Sequence, residues 1–203
     1  ALSDVLPVFE DMGFKVIDEG GPHLVDLSVV DRGEMVIHNF GLRARLGGAV
    51  DLKNIRGAFH DAFERVWDGT IESDGFNALV VNGGLSWREV VVLRAYCKYL
   101  RQAGIAFSQD YMAATMVSNP KLASNIVKLF MVLFDPDSQK GVEARAGRIR
   151  SQLSKGLEAV TSADEDRIIQ RFINLVDSTL RTNYFQKGAG TDADAGKSYL
   201  SLK

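Results

Sequence analysis

Few residues of this sequence are typed and spaced for chemistry. His23, His38 and His60 are its three histidines, and none stands at metal-ligand spacing with another histidine, a cysteine or a pair of carboxylates. They read as surface or structural residues. Cys97 is the single cysteine, so it forms no internal disulfide, and it falls on the apolar side of a helical pattern with no base placed to activate it. It reads as a small core residue. Gly83 and Gly84 precede a helix start, as a dinucleotide-binding turn does, but their spacing fails the G-x-G-x-x-G pattern and the run before them is not clearly a strand. The stretch from Gly41 to Gly48 (GLRARLGG), with Arg43 and Arg45, could hold an anion; its composition favours a surface loop. Two basic stripes, Arg94, Lys98, Arg101 and Arg145, Arg148, Arg150, have acidic residues close by, among them Glu143, Glu158, Asp164 and Asp166, and read as solvated helix faces. No paired carboxylates, Ser/His/Asp set or reactive lysine stands out. The expectation is therefore no catalytic, no cofactor-binding and no metal-ligating residue, which points to a binding or scaffold unit.

The elements that would position any site are organised around Leu85 to Tyr111. Ser86 followed by Glu89 is a capping-box pattern, in which hydroxyl and carboxylate each satisfy an orphan amide at a helix start. Val90, Leu93, Cys97 and Leu100 then share one face, and Val92, Tyr96, Tyr99 and Ala103 widen it to about half the circumference. Gly104 suits a left-handed stop. Upstream, Ser3 can cap a short helix carrying Val5, Leu6, Phe9 and Met12 and ending at Gly13. Phe14 to Asp18 reads as a strand broken by Gly20, Gly21 and Pro22. His23 to Val30 and Glu34 to Phe40 read as two further strands at hairpin spacing about Asp31, Arg32 and Gly33. Asp51 opens a helix with Leu52, Ile55, Phe59, Phe63 and Val66 on one face, closed by Asp68 and Gly69. This order predicts an α+β layer, a small ferredoxin-like sheet with helices on one face, whose first strand would lie upstream of Ala1.

Everything after the central helix reads as helix. Asp74 to Val81 fits either a short helix or a closing strand. Ser108 caps a segment through Val117, Pro120 starts one with Leu122, Ile126, Leu129, Phe130 and Leu133 on its apolar face, and Val142 to Ala159 is a more charged helix. A second capping-box pattern, Ser162 with Glu165, opens the run Ile168, Ile169, Phe172, Ile173, Val176, Leu180 and Tyr184, which should pair with the central helix. Lys187 to Lys197 has linker composition, and Ser198 to Lys203 reads as a strand start without an evident partner.

The net charge of -2 and a pI near 6 give no electrostatic reason for nucleic acid or an anionic membrane as partner. No apolar run approaches the roughly 20 residues of a membrane span, and with one cysteine the expected location is the cytoplasm.

Three stretches resemble one family, the large-subunit bacterial NAD-specific glutamate dehydrogenases: Val5 to Asp18 (VLPVFEDMGFKVID), Phe76 to Ser108 (containing GLSWRE) and Asp164 to Gln186 (containing LRTNYFQ). The resemblance implies a regulatory region just before the catalytic core, where ACT-like modules of βαββαβ type give way to helical segments, with SYLSLK similar to the first core strand. It implies an ACT-like module over residues 1–70, lacking its first strand, a helical domain over 71–186, and linker plus core start over 187–203. It further implies a parent enzyme that uses NAD to deaminate glutamate to 2-oxoglutarate and ammonia, with other subunits of a homo-oligomer as partners and an amino acid as a possible effector. The lysine-bearing glycine-rich segment and nucleotide domain of that family have no counterpart in these residues, so the chain alone is expected to bind no NAD and to be inactive. The alternative is a free-standing ACT-like ligand-binding module with a helical partner domain.

Overall fold

The structure is a computed structural model and describes residues 2–26, 34–47, 50–187 and 199–203. Helix α1 (Leu2–Asp11) sends Val8 and Phe9 inward and stops at Gly13. That glycine has φ +88°, and a side chain there would bring its Cβ to 3.0 Å from Ala78 Cβ, so the turn is closed to larger residues. Strands β1 (Phe14–Asp26) and β2 (Glu34–Ala44) pair antiparallel, the only sheet among the described residues.

Two expectations change here. The Gly20, Gly21, Pro22 cluster does not end a strand: β1 runs through it, because a register shift between Gly20 and His23 leaves one residue more on β1 than on its partner and takes the proline out of the ladder. The expected second strand, His23 to Val30, is thus the outer half of β1, and its residues past Asp26, with the Asp31 to Gly33 turn, lie outside the described residues. Likewise the expected loop from Gly41 begins as strand: Leu42 and Arg43 pair with Val16 and Lys15, and the Asp18 carboxylate lies over Gly41, so it would have to swing aside for any side chain there. The inner half of the hairpin lies on α1 and α2 (Leu52–Trp67) through an aromatic layer in which Phe9 meets both Phe40 and Phe63 at 5.4 Å, and Phe14 meets Phe59 at 5.4 Å. Asp51 caps α2 by accepting from the Asn54 amide.

Residues Gly75–Ala78 form a 3-10 turn that runs into α3 (Leu79–Asn82), so Asp74 to Val81 is helical, with Asp74 accepting from the Phe76 amide at its start. Helix α4 (Trp87–Gln102) opens with both halves of the Ser86/Glu89 capping box formed. Its apolar face buries Val90, Val92, Leu93, Tyr96, Cys97 and Leu100, whereas Tyr99, expected on the widened face, is 54% exposed. Then come α5 (Gln109–Ser118) capped by Ser108, α6 (Pro120–Phe134), α7 (Val142–Leu157) and α8 (Ala163–Ser178). Phe172 of α8 and Leu93 of α4 are both fully buried, and the two helices pack together. One cluster of buried side chains runs from Val8 to Val176.

Helix α8 ends earlier than its periodicity suggests. The Thr179 hydroxyl donates to the Leu175 carbonyl at 2.7 Å and meets the Tyr96 hydroxyl at 2.8 Å while its backbone turns extended, which leaves Leu180 76% exposed. The second capping box is only half formed: Ser162 accepts from the Glu165 amide, but the Glu165 carboxylate accepts from Asn119 Nδ2 at 3.1 Å. SYLSLK does have a partner, since Thr182 bridges Leu202 antiparallel and Asn183 bonds the backbone of Tyr199 and Ser201. Most of the expected linker, 188–197, lies outside the described residues.

Candidate functional site

Arg94 departs furthest from its expected setting. It is 4% exposed, and its guanidinium grips Asp74 with two hydrogen bonds, Nε to Oδ2 at 2.7 Å and Nη2 to Oδ1 at 2.9 Å, while Nη2 also donates to Asn77 Oδ1 at 2.6 Å. Gln109 Nε2 donates to Asp74 Oδ2 at 3.0 Å, and Asn77 Nδ2 to the Glu72 carbonyl at 2.9 Å. Such a pair holds only while every lone pair and proton is matched, since a buried charge left alone costs several kcal/mol. It locks the turn before α3 to α4 and α5. Of its stripe, Lys98 pairs with Glu72 at the surface and Arg101 is exposed, as expected of a solvated face. In the second stripe Arg150 pairs with Asp177 at 2.7 Å, and Arg145 donates to Ser138.

A second contact joins segments far apart in sequence. Arg88 Nη2 donates to the Tyr184 carbonyl at 2.7 Å, and its guanidinium carbon lies 4.9 Å from the Tyr184 ring centre and 5.8 Å from that of Trp87. Arg65 covers Trp87 at 4.5 Å, bringing α2 into the same joint. Tyr184 in turn meets Phe130 edge-on at 5.4 Å. Burial pushes the Tyr184 and Tyr96 phenols up to about 12, so both are neutral hydrogen-bonding groups at physiological pH. The WRE and NYFQ residues are thus two sides of one structural clasp.

The remaining candidates resolve individually. Burial pushes the Cys97 thiol up to about 12, which keeps it protonated and inert. His38 Nδ1 lies 2.6 Å from Glu19 Oε1 on the hairpin, and His23 and His60 are exposed. Among the described residues no three His, Cys, Asp or Glu side chains gather as metal ligands would. Gly83 and Gly84 follow a helix, α3, and end it, with the Gly83 and Leu85 amides both donating to the Leu79 carbonyl. A pyrophosphate turn instead leaves a strand and enters a helix. Arg43 stands opposite Lys15 in the ladder and Arg45 donates its amide to the Gly13 carbonyl, so these arginines belong to the hairpin and its edge.

One feature escaped the sequence reading. A cavity of about 260 Å³ between α3 and α6 is lined by Asn82, Gly83, Pro120, Lys121, Ser124, Asn125 and Lys128. Its signal was the polar spacing i, i+3, i+4, i+7 on the side of α6 opposite the apolar face.

Comparison with known proteins places the chain. Residues 1–55 match the family model described as glutamate dehydrogenase, ACT3 domain, residues 71–136 match glutamate dehydrogenase, helical motif 3, and residues 152–203 match bacterial NAD-glutamate dehydrogenase, catalytic domain. The third match takes in α8 as well as the bridge between Thr182 and Leu202. The chain is 39% identical over 202 residues to the NAD-specific glutamate dehydrogenase of Halomonas elongata, 34% over 207 residues to that of Pseudomonas aeruginosa, and 34% over 197 residues to that of Mycobacterium tuberculosis. The first two comparisons cover 100% of the chain and the third 94%, yet the chain spans only 12% of the length of each relative. Among the described residues no helix is long and apolar enough to cross a membrane.

Proposed function

We propose a function for what is, by these matches, the stretch of a bacterial NAD-specific glutamate dehydrogenase that runs from its ACT3 module through helical motif 3 into its catalytic domain: it is a non-catalytic regulatory and assembly segment. In this reading the parent enzyme converts L-glutamate, NAD and water to 2-oxoglutarate, ammonia and NADH in the cytoplasm, and the segment contributes by holding subunits or carrying an effector signal. Its modules are residues 1–70, 71–186 and 187–203. The Gly83 and Gly84 turn does not suit a pyrophosphate, because it follows α3 and not a strand, and no chemical step is assigned to these residues.

The observation that carries the reading is the clasp between Arg88 and Tyr184, which ties the residues that match helical motif 3 to those that match the catalytic domain. A charged hydrogen bond of this kind is worth about 1.5–3 kcal/mol. In the parent enzyme, Arg88→Gln should therefore lower turnover by about tenfold or more while leaving the affinity for NAD in place. The isolated chain should produce no NADH absorbance with glutamate and NAD. Saturable NAD binding by the isolated chain at millimolar or better affinity, or unchanged turnover in the Arg88→Gln enzyme, would overturn it.

A further inference from the structure

The cavity between α3 and α6 has a one-sided chemistry. Lys121, Ser124, Asn125 and Lys128 line one wall in successive turns of α6, with Asn82 and Gly83 across from them, and no carboxylate contributes to the lining. Among the described residues neither lysine has an ion-pair partner, and the Ser124 hydroxyl and Asn125 amide make no side-chain hydrogen bond. Asn82 spends its Nδ2 on the Ala78 carbonyl at 2.9 Å. Glu165, the acid nearest the start of α6 in the bonding pattern, is held by Asn119, which is not part of the lining. Some cations elsewhere on the surface are matched, Lys98 with Glu72, Arg150 with Asp177 and Arg65 with Asp61, and others, such as Arg101 and Lys155, stand on open helix faces outside this cavity. Here two cations and two neutral donors face a concave space with no internal counter-charge.

We propose that this cavity binds a small metabolite dianion, with its two acidic groups reached from Lys121 and Lys128 and its middle hydrogen-bonded by Ser124 and Asn125. The two lysines are seven residues apart on one helix face, about 10 Å along its axis, which long flexible side chains span from both ends. Size sets the class. At about 260 Å³ the cavity falls just below the roughly 300 Å³ at which sites for drug-sized ligands begin. That size suits a dicarboxylate or a small phosphate ester better than a dinucleotide. The site also lies at a join: Asn82 sits beside Gly13 at the end of α1, and α3 packs on α2, so an occupant would tie the hairpin end of the molecule to α6.

Titration calorimetry of the chain with succinate and with inorganic phosphate tests this, using the native sequence, the double variant Lys121→Gln/Lys128→Gln, the variant Ser124→Glu, which sets an acid between the lysines, and Lys155→Gln as an exposed lysine on another helix. The expected result is one saturable equivalent for the native chain, affinity lowered at least about tenfold in the first two variants, equivalent to about 1.4 kcal/mol, and no change in Lys155→Gln. Tighter succinate binding assigns a carboxylate ligand and tighter phosphate binding a phosphate ester. No saturable binding of either probe, or equal affinity in the native chain and both cavity variants, would overturn the proposal.

Discussion

The two ends of this molecule are built to different standards of self-sufficiency. In the helical body, Leu93, Cys97, Ile126, Phe130, Phe172 and Val176 are wholly withdrawn from water, and each face reads as a helical stripe laid on another. In the hairpin only the inner half, Phe14 and Val16 with Phe40 to Ala44, rests on α1 and α2, while Ile17 at 51% and Leu24 at 69% exposure stand in solvent. Burial contributes on the order of 25 cal/mol per Å² of apolar surface, so the helical body holds most of the stabilising area and the outer hairpin little. What the contrast teaches is that apolar content alone does not mark a core: Leu24 and Leu93 are the same residue type, and the packing neighbours decide.

Substitutions can break this contrast or sharpen it. The largest effect is expected for Phe172→Ala, which empties a fully buried ring position between α8 and α4 and should cost about 3–5 kcal/mol, read as a lowered urea midpoint at unchanged slope. A smaller loss, about 1 kcal/mol, is expected for Ser86→Ala, because the hydroxyl that accepts from the Glu89 amide at the start of α4 is removed while the core stays intact. The smallest is Leu24→Ser on the outer hairpin, within about 0.5 kcal/mol. If Leu24→Ser shifts the midpoint as far as Phe172→Ala, the hairpin is buried in solution and the contrast between the two ends fails.

The same division governs what could be read from the sequence. Caps were legible because donor and acceptor sit at fixed short offsets: Ser86 with Glu89, Ser108 with Tyr111, Asp51 with Asn54. Helix faces were legible from period, as Phe172 and Leu93 demonstrate. Partners chosen across the fold were not. Arg94 looked like part of a solvated stripe because Asp74, which it grips, is twenty residues away on a turn whose conformation the sequence left open. Glu165 fits a capping box locally, yet its carboxylate goes to Asn119, 46 residues off. Leu180 keeps the helical period, but Thr179 ends the helix by turning its hydroxyl onto Leu175 and Tyr96. The α6 cavity was missed for the converse reason: its polar residues look like any wet helix face until α3 is set across from them.

Strand β1 follows a rule of even and odd. Phe14 and Val16 point to the helices; the irregularity at Ile17 then passes that side to Glu19, which meets His38 opposite Phe40's flank, and the second one, between Gly20 and His23, passes it back so that Leu24 lies opposite Val36. Because a shift of one residue turns a strand over, the two irregularities cancel. A chain that lost Ile17 alone would close that irregularity and keep Glu19 opposite Phe40, whereas one that lost a residue from a regular stretch, such as Lys15, would turn the strand over on one side of the gap. Each irregularity is therefore a place where this strand can give up one residue without changing which side chains meet the helices.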